Sequence, residues 1–575
     1  VTETVNTLHA ASASASPAPS FTELLAERAD DPHPALHFEG RSWTWAQVAA
    51  EAAARAAAAS DFRASDPGRR VHVAALLNNV PDFVFWILAA SIGDFVLVSV
   101  NPTRRGAELA HDITHTECDV ILTENAHLQL LIDADPPVAQ VWNIDSDEYA
   151  AWLEPFQGAS LPATAPDPAD PCLLMFSSGS TGTPKAVICT HGALARRAQI
   201  LGDRIGIVRE TVAYLCMPLF HGNSLFTNLA PGVSVGATIV MRRRFSASGF
   251  VDDLHRHRFT FVNYVGRAIS YILATDVDPR DRRSSLQLAY GSEVSPADMV
   301  QFRERFGCVV WDPYGSSEGA LSIVPEPDSP PGALGQPSPG QDIRVLAPDG
   351  TECPRARFDT DGRLTNADEA IGEIVGIGRA HAFAGYYKNP EAEAERIRGD
   401  DYWSGDLAYR DEGGDFYFAG RTADWIRVDG ENFAAAPIER IIGRFAPVSS
   451  CFIYAVPDPS TGDNVMCTLT LHAGSAFDAA AFGAFLDEQS DLGTKWRPRF
   501  VRIARTVPQT GSNKVDKRPL RLAAWETSDP VWWLPDRDRQ YVELTDDDRE
   551  RLSQEFAEHG RADVAPPRTE RHLSR

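Results

Sequence analysis

Residues 176–186 read FSSGSTGTPKA, so Ser177, Ser178, Gly179, Ser180, Thr181, Gly182 and Thr183 run into Pro184-Lys185. Hydroxyls, backbone N–H groups and one ammonium on a single loop can surround a polyphosphate. Glycine permits close backbone approach. Successive N–H groups form an anion-binding nest, and Lys185 adds a compact charge. The order Thr183-Pro184-Lys185-Ala186 is not a Walker A sequence, which needs Gly-Lys-Ser/Thr. Pro184 has no N–H to donate. A Ser/Gly-rich surface turn fits the same residues. The flanks favour the phosphate site: 171–176 (PCLLMF) and 186–191 (AVICTH) read as buried strands entering and leaving the loop.

Further polar clusters follow. YGSSEG (314–319) sets Tyr314, Gly315, Ser317 and Glu318 after FGCVVWDP, a strand running into a turn. Glu318 offers a hard oxygen ligand to Mg²⁺, and Ser317 can hydrogen-bond a phosphate oxygen; a plain polar turn is the competing reading. GSE (Gly291, Ser292, Glu293) precedes a helix expected over 295–306. In 402–421 (YWSGDLAYRDEGGDFYFAGR), Asp406 has two acceptor oxygens for the two hydroxyls of a ribose, and Arg421 can brace the same sugar. An ordinary hairpin explains the central DEGG but not the Asp and Arg at its ends. PQTGSNKVDKR (508–518), RVDGENF (427–433) and MPLFHG (217–222) complete the set.

In this order the motifs resemble those of the adenylate-forming enzymes: acyl-CoA synthetases, luciferases and peptide-synthetase adenylation domains. The resemblance spans roughly residues 20–550. It implies that the loop binds ATP, and that Ser317 stands for the usual Thr with its hydroxyl kept. The strand end at Gly291, Ser292 and Glu293 would lie against adenine. Lys514 would steady charge between the carboxylate and the α-phosphate. Gly430 would let the pantetheine arm of coenzyme A approach, and the hinge position matches Ala423 beside Asp424. His221 would close the junction between acyl tunnel and adenylate, a packed core histidine being the alternative. Residues 242–273 and 529–545 resemble the fatty-acid-transport-protein and very-long-chain acyl-CoA synthetase branch, with Arg267 where that branch carries an acidic residue. Actinobacterial fatty-acyl-CoA synthetases, some acting on steroid side-chain acids, are the nearest type. The implied reaction joins a long-chain fatty acid or steroid side-chain carboxylate to CoA through an acyl-adenylate, with ATP, Mg²⁺ on Glu318, and CoA as co-substrate. Arg242, Arg243 and Arg244 are expected either to meet CoA phosphates or to form a solvated strand end.

Around these motifs the pattern alternates. Helices are expected at 44–59, 81–91 and 105–116, and strands at 71–77, 95–100 and 119–123. Continuous apolar strands between helices imply a largely parallel sheet covered on both faces. The fold class expected is α/β: a large N-terminal domain of α/β subdomains with mostly parallel sheets, plus a small mobile C-terminal α+β domain. The boundaries expected are an unstructured 1–20, a large domain 21–421, a small domain 422–550 and a polar, largely unstructured tail 551–575. The chain of 575 residues is too long for one core. Its net charge of −25 opposes nucleic acid or an anionic membrane as main partner. Eight scattered cysteines without a CxxC pair suit reduced thiols in a cytoplasmic protein. Residues 83–100 are long and apolar enough to imitate a membrane span, but Gly93-Asp94 breaks them into helix, turn and strand. Peripheral membrane contact and a homodimer are both compatible with the sequence. Three rival readings stand beside the ligase: an acyl-AMP ligase loading a carrier protein, a lipid-binding or uptake protein with a vestigial nucleotide site, and a serine hydrolase using GxSxG at Ser234 or Ser317.

Overall fold

Strand β1 (Pro171–Ser177) is buried from Cys172 to Phe176, and β2 (Lys185–Thr190) returns antiparallel to it, with Ser177 opposite Lys185. This computed structural model describes residues 18–567 apart from 67, 139, 178–184, 295, 327–328, 331, 361–363, 422–425, 429–430, 461, 494, 511–514 and 536–539. The expected phosphate-loop residues Ser178, Gly179, Ser180, Thr181, Gly182 and Thr183 therefore lie outside the described residues, as do Lys514, Gly430 and the hinge pair Ala423 and Asp424. On its other edge β1 runs parallel to Phe95–Ser99, which leads through Val71–Leu76 and Val120–Thr123 to Gln140–Asn143, making six strands. VHVAAL and FVLVS are apolar at consecutive positions because both faces of this sheet are covered. The apolar 83–100 segment divides as its glycine predicts, into helix Pro81–Ile92 and strand Phe95–Ser99. Among the described residues no helix is long and apolar enough to cross a membrane.

A second sheet of seven strands carries β3 (Val212–Leu215), β4 (Phe261–Val265), β5 (Leu288–Ser292) and β6 (Val309–Trp311) in the spatial order β6-β5-β4-β3. These strands are parallel, so their C-terminal ends open on one edge. Helix α1 (His191–Ile205) leaves β2 with Thr190 as its N-cap. It lies against helix Ala230–Val235. Helices α2 (Gly266–Leu273) and α3 (Pro296–Phe306) follow β4 and β5. Next comes an antiparallel sheet in which β7 (Asp401–Arg410) pairs with β8 (Phe416–Arg421).

Towards the C-terminus a five-stranded sheet is antiparallel except where Asp463–Leu471 meets Phe500–Ile503. With helices Ala435–Ile442 and Ala479–Asp487 it makes the expected α+β texture. The tail departs from expectation. Residues expected to be unstructured from 551 continue a helix, Asp546–Glu558, started by a capping box between Thr545 and Asp548. Leu552 and Phe556, one turn apart, are buried with Trp525 and Trp533. These apolar residues at i, i+4 dock one face of an otherwise mostly polar helix.

Candidate active site

Lys185, the first residue of β2, is only 4% exposed. Its Nζ donates to Glu395 Oε2 at 3.1 Å and stands 5.3 Å from the centre of the Tyr386 ring. The Tyr386 hydroxyl donates to Glu318 Oε1 at 2.8 Å. Burial first, and then the charge of Glu318, pushes the phenols of Tyr386 and Tyr402 far above their ordinary range, so both remain neutral donors. Burial opposes the charge on Arg396, and the carboxylate of Glu318 nearby favours it. One chain of contacts thus runs from the foot of the serine/glycine loop to the carboxylate expected to meet the metal.

Arg197 on α1 fixes that carboxylate's backbone. Its Nη1 donates to the Ser317 carbonyl at 3.0 Å and its Nη2 to the Glu318 carbonyl at 2.8 Å. The guanidinium also lies 4.3 Å over the Phe226 ring. Gly319 is required twice: its φ is +69°, and a Cβ there would fall 1.6 Å from Arg197 Nη2. A Cβ on Gly222 would stand 3.2 Å from Ser317 Oγ, so the His221-Gly222 turn lies against the YGSSEG turn. The ring of His221 packs on Phe220 at 4.3 Å.

The ribose and adenine candidates are assembled from three other elements. Tyr314 donates its hydroxyl to Asp406 Oδ2 at 2.8 Å. The Asp406 N–H donates to Ser404 Oγ at 3.1 Å. Asp406 on β7 stands opposite Arg421 on β8, so the two ends of the motif are cross-strand partners. Gly291 on β5 pairs with Tyr264 on β4, and a Cβ at Gly291 would lie 2.2 Å from the Tyr264 carbonyl oxygen. Glu293 adopts φ +67°, its N–H donates to Asp312 Oδ1 at 3.0 Å, and that of Val294 to Oδ2 at 3.1 Å. Asp312 thereby ties the end of β6 to the turn after β5.

Behind this edge is a narrow apolar void, with no room for a water molecule, bounded by Met217, Phe250, Asn263, Tyr264, Ile269 and Phe302 among others. Phe250 and Ile269 are fully buried.

The structure therefore brings together Ser177, Lys185, Ser317, Glu318 and His221 on one side, and Gly291, Ser292, Glu293, Tyr314, Gly315 and Asp406 along the strand ends. Arg197, Tyr386, Arg396 and Asp312 were missed in the sequence. Arg197 stands three residues after Leu194 on the buried face of an amphipathic helix, where a charge needs a partner; that was its one sequence signal. Arg242 pairs with Asp253 and Arg243 with Glu39 and Glu124 at 2.9 Å each, while Arg244 stays exposed and meets Asn78 at 3.3 Å. Ser234 lies within a helix, and its hydroxyl donates to the Pro231 carbonyl at 2.7 Å, which is no strand-to-helix nucleophile elbow.

Comparisons with known proteins show the family. Residues 25–387 match the family model of the AMP-binding enzymes, and residues 437–514 that of the AMP-binding enzyme C-terminal domain. The chain is 45% identical over 548 residues to a steroid-22-oyl-CoA synthetase of Rhodococcus jostii, covering 94% of this chain and 98% of that protein. It is 40% identical over 520 residues to a medium/long-chain-fatty-acid–CoA ligase, FadD17, of Mycobacterium marinum, covering 90% and 99%. Among solved structures, ATP-bound MatB of Rhodopseudomonas palustris matches with a TM-score of 0.76 at 22% identity, covering 87% of this chain and 98% of that one.

Proposed function

The chain belongs to the family of AMP-binding enzymes, and on that footing we propose that it is an ATP-dependent acyl-CoA ligase for a hydrophobic carboxylic acid, a long-chain fatty acid or a steroid side-chain carboxylate. The observation that carries the reading is the contact chain Lys185–Tyr386–Glu318, braced by Arg197. Its buried cation and carboxylate suit a nucleoside triphosphate with its metal.

In the first step a carboxylate oxygen of the acid bonds to the α-phosphorus of ATP. The bond from that phosphorus to the bridging oxygen breaks, and pyrophosphate leaves. In the second, CoA, having lost its thiol proton to solvent, bonds as the thiolate sulfur to the acyl carbon, the bond to the AMP oxygen breaks, and AMP leaves. The carboxylate is already deprotonated, so the first step needs no general base. Both reactants are anions, and the protein's task is to align them and neutralise charge. Lys185, buried at the loop's foot, faces the departing phosphates. Ser317 offers a hydroxyl to the α-phosphate, and Asp406 offers its carboxylate to the ribose while Tyr314 orients it. Lys514, the last residue of the matched C-terminal model, supplies the second cation. Glu318 fits Mg²⁺: it is a hard oxygen donor, aimed by Tyr386 and adjacent to the Ser317 hydroxyl. Magnesium bound there would neutralise phosphate charge. His221 closes the junction between the acyl chain and the adenylate, and the loop bearing Gly430 meets CoA in the second step.

The test is AMP release with ATP, Mg²⁺ and CoA across straight-chain fatty acids and steroid carboxylates. CoA-dependent AMP release with a hydrophobic acid is the expected result. No release with any acid refutes the ligase, and release that ignores CoA transfers the acyl group to another acceptor, such as a carrier protein.

A further inference from the structure

Residues 385–388 lie along β2 as a short extended segment. Tyr386 bridges Val187 in antiparallel register, the Ile188 N–H donates to the Gly385 carbonyl at 3.1 Å, and the Tyr387 N–H donates to the Ala186 carbonyl at 2.8 Å. The segment is therefore pinned directly beside the buried Lys185. Neighbouring side chains of an extended chain leave on opposite faces. Tyr386 accordingly enters the core beside Phe383 and Tyr402 and reaches Glu318, while Tyr387 turns to the opposite side. There the Tyr387 hydroxyl donates to Glu117 Oε2 at 2.5 Å, and Lys388 Nζ donates to Glu117 Oε1 at 2.6 Å. One carboxylate thus holds two successive residues of the segment. His72 meets the Tyr387 ring edge-on at 5.2 Å, and His115 Nε2 lies 3.0 Å from the Tyr387 carbonyl oxygen.

The carboxylate is presented from a fixed turn. Glu117 stands between helix Gly106–His115 and strand Val120–Thr123, and Arg69 Nη2 donates to its carbonyl at 2.9 Å while the same guanidinium grips Asp119 at 2.8 Å. Glu117 and Lys388 adopt φ of +50° and +48°. Side chains other than glycine rarely adopt that region, so both ends of the contact are strained positions that their surroundings hold in place. Lys388 first, and then Tyr387, keep the Glu117 carboxyl below its ordinary range, so the anion persists. Glu117, Tyr387 and Lys388 take no part in the contacts assigned above to nucleotide or metal.

We propose that Glu117 and Tyr387 are positioning residues for the adenylation step: they clamp segment 385–388 from behind and thereby aim the Tyr386 hydroxyl at Glu318. A hydrogen bond weakens steeply with distance and angle, so a small slide of this segment along β2 spoils the 2.8 Å contact without unfolding anything. The proposal deepens the ligase reading and rests on it.

The experiment uses the full-length chain with Tyr387→Phe and Glu117→Gln, each alone and each combined with Tyr386→Phe. Acid-dependent ATP–pyrophosphate exchange is measured with the hydrophobic acid that the wild type uses best, and amide hydrogen exchange is followed at Tyr387 and Ile188 without nucleotide. Each single variant is expected to lower the exchange kcat about fivefold, the factor that about 1 kcal/mol gives. The two amides should exchange at least about threefold faster, because they tie the segment to β2. In the Tyr386→Phe background neither change should lower kcat further by more than about twofold, since the hydroxyl being aimed is gone. A merely structural role would instead multiply its loss onto that of Tyr386→Phe. With an active wild type, that multiplied loss, an unchanged kcat in both single variants, or unchanged amide protection overturns the positioning role alone. A wild type without exchange on any acid overturns this proposal and the ligase reading together.

Discussion

Replacing Tyr386 by Phe isolates one hydroxyl at the centre of the site. In the wild type that hydroxyl lies 2.8 Å from Glu318 Oε1. A hydrogen bond to a carboxylate is worth about 1.5–3 kcal/mol, roughly twice a neutral one. The ring should stay in place: it is 2% exposed, meets Phe383 edge-on at 4.9 Å and carries the Lys185 ammonium at 5.3 Å. The loss therefore falls on the orientation of Glu318. Converted to rate, it is about a 10- to 150-fold drop in kcat for acid-dependent ATP–pyrophosphate exchange. Since Glu318 is the proposed Mg²⁺ ligand, the Mg²⁺ concentration for half-maximal exchange should rise as well. The thermal midpoint should move by less than about 4 °C, because the packing is kept. Exchange and Mg²⁺ dependence are measured together by titrating Mg²⁺ at saturating ATP. A kcat within twofold of wild type with an unmoved Mg²⁺ midpoint would refute the placement of Tyr386 and Glu318 in one catalytic unit.

Two further outcomes follow from packing and burial. Gly291→Ala places a methyl 2.2 Å from the Tyr264 carbonyl and 2.6 Å from its ring, on the strand directly paired with it; overpacking of this kind costs about 1–3 kcal/mol, and a urea midpoint equal to wild type would contradict the close approach of β4 and β5. Burial pushes the imidazole pKa of His72 and His191 below the ordinary value. The unfolded chain therefore takes up protons near pH 6.5 where the folded chain does not, and stability present above that pH is lost as pH falls through the folded values. The urea midpoint should drop between pH 7.5 and 5.5, and the double change to Gln should flatten the profile; a flat wild-type profile would count against buried neutral imidazoles.

The two halves of the inference have different sources. The motifs are local: a serine/glycine loop between two apolar strands, a hydroxyl beside a carboxylate at a strand end, and an Asp and Arg at the ends of a hairpin were legible because each needs only a few neighbouring residues. Helix Trp45–Ala58 and strand Phe95–Ser99 were legible for the same reason, since periodicity and turn residues act over short spans. The tail helix Asp546–Glu558 was missed because its two apolar residues acquire meaning only against Trp525 and Trp533. Arg243 looked like part of a free basic cluster until two distant carboxylates, Glu39 and Glu124, came to meet it.

By itself the sequence determined the class of chemistry, because the residues that touch a nucleotide must be of particular types at particular spacings. Only the tertiary structure decided what braces them. Arg197 reaches Ser317 and Glu318 from a residue about 120 positions earlier, and Tyr386 reaches Glu318 from 68 positions later. Such contacts carry no local spacing signal, because they exist only once two sheets and the helix between them have closed on one another.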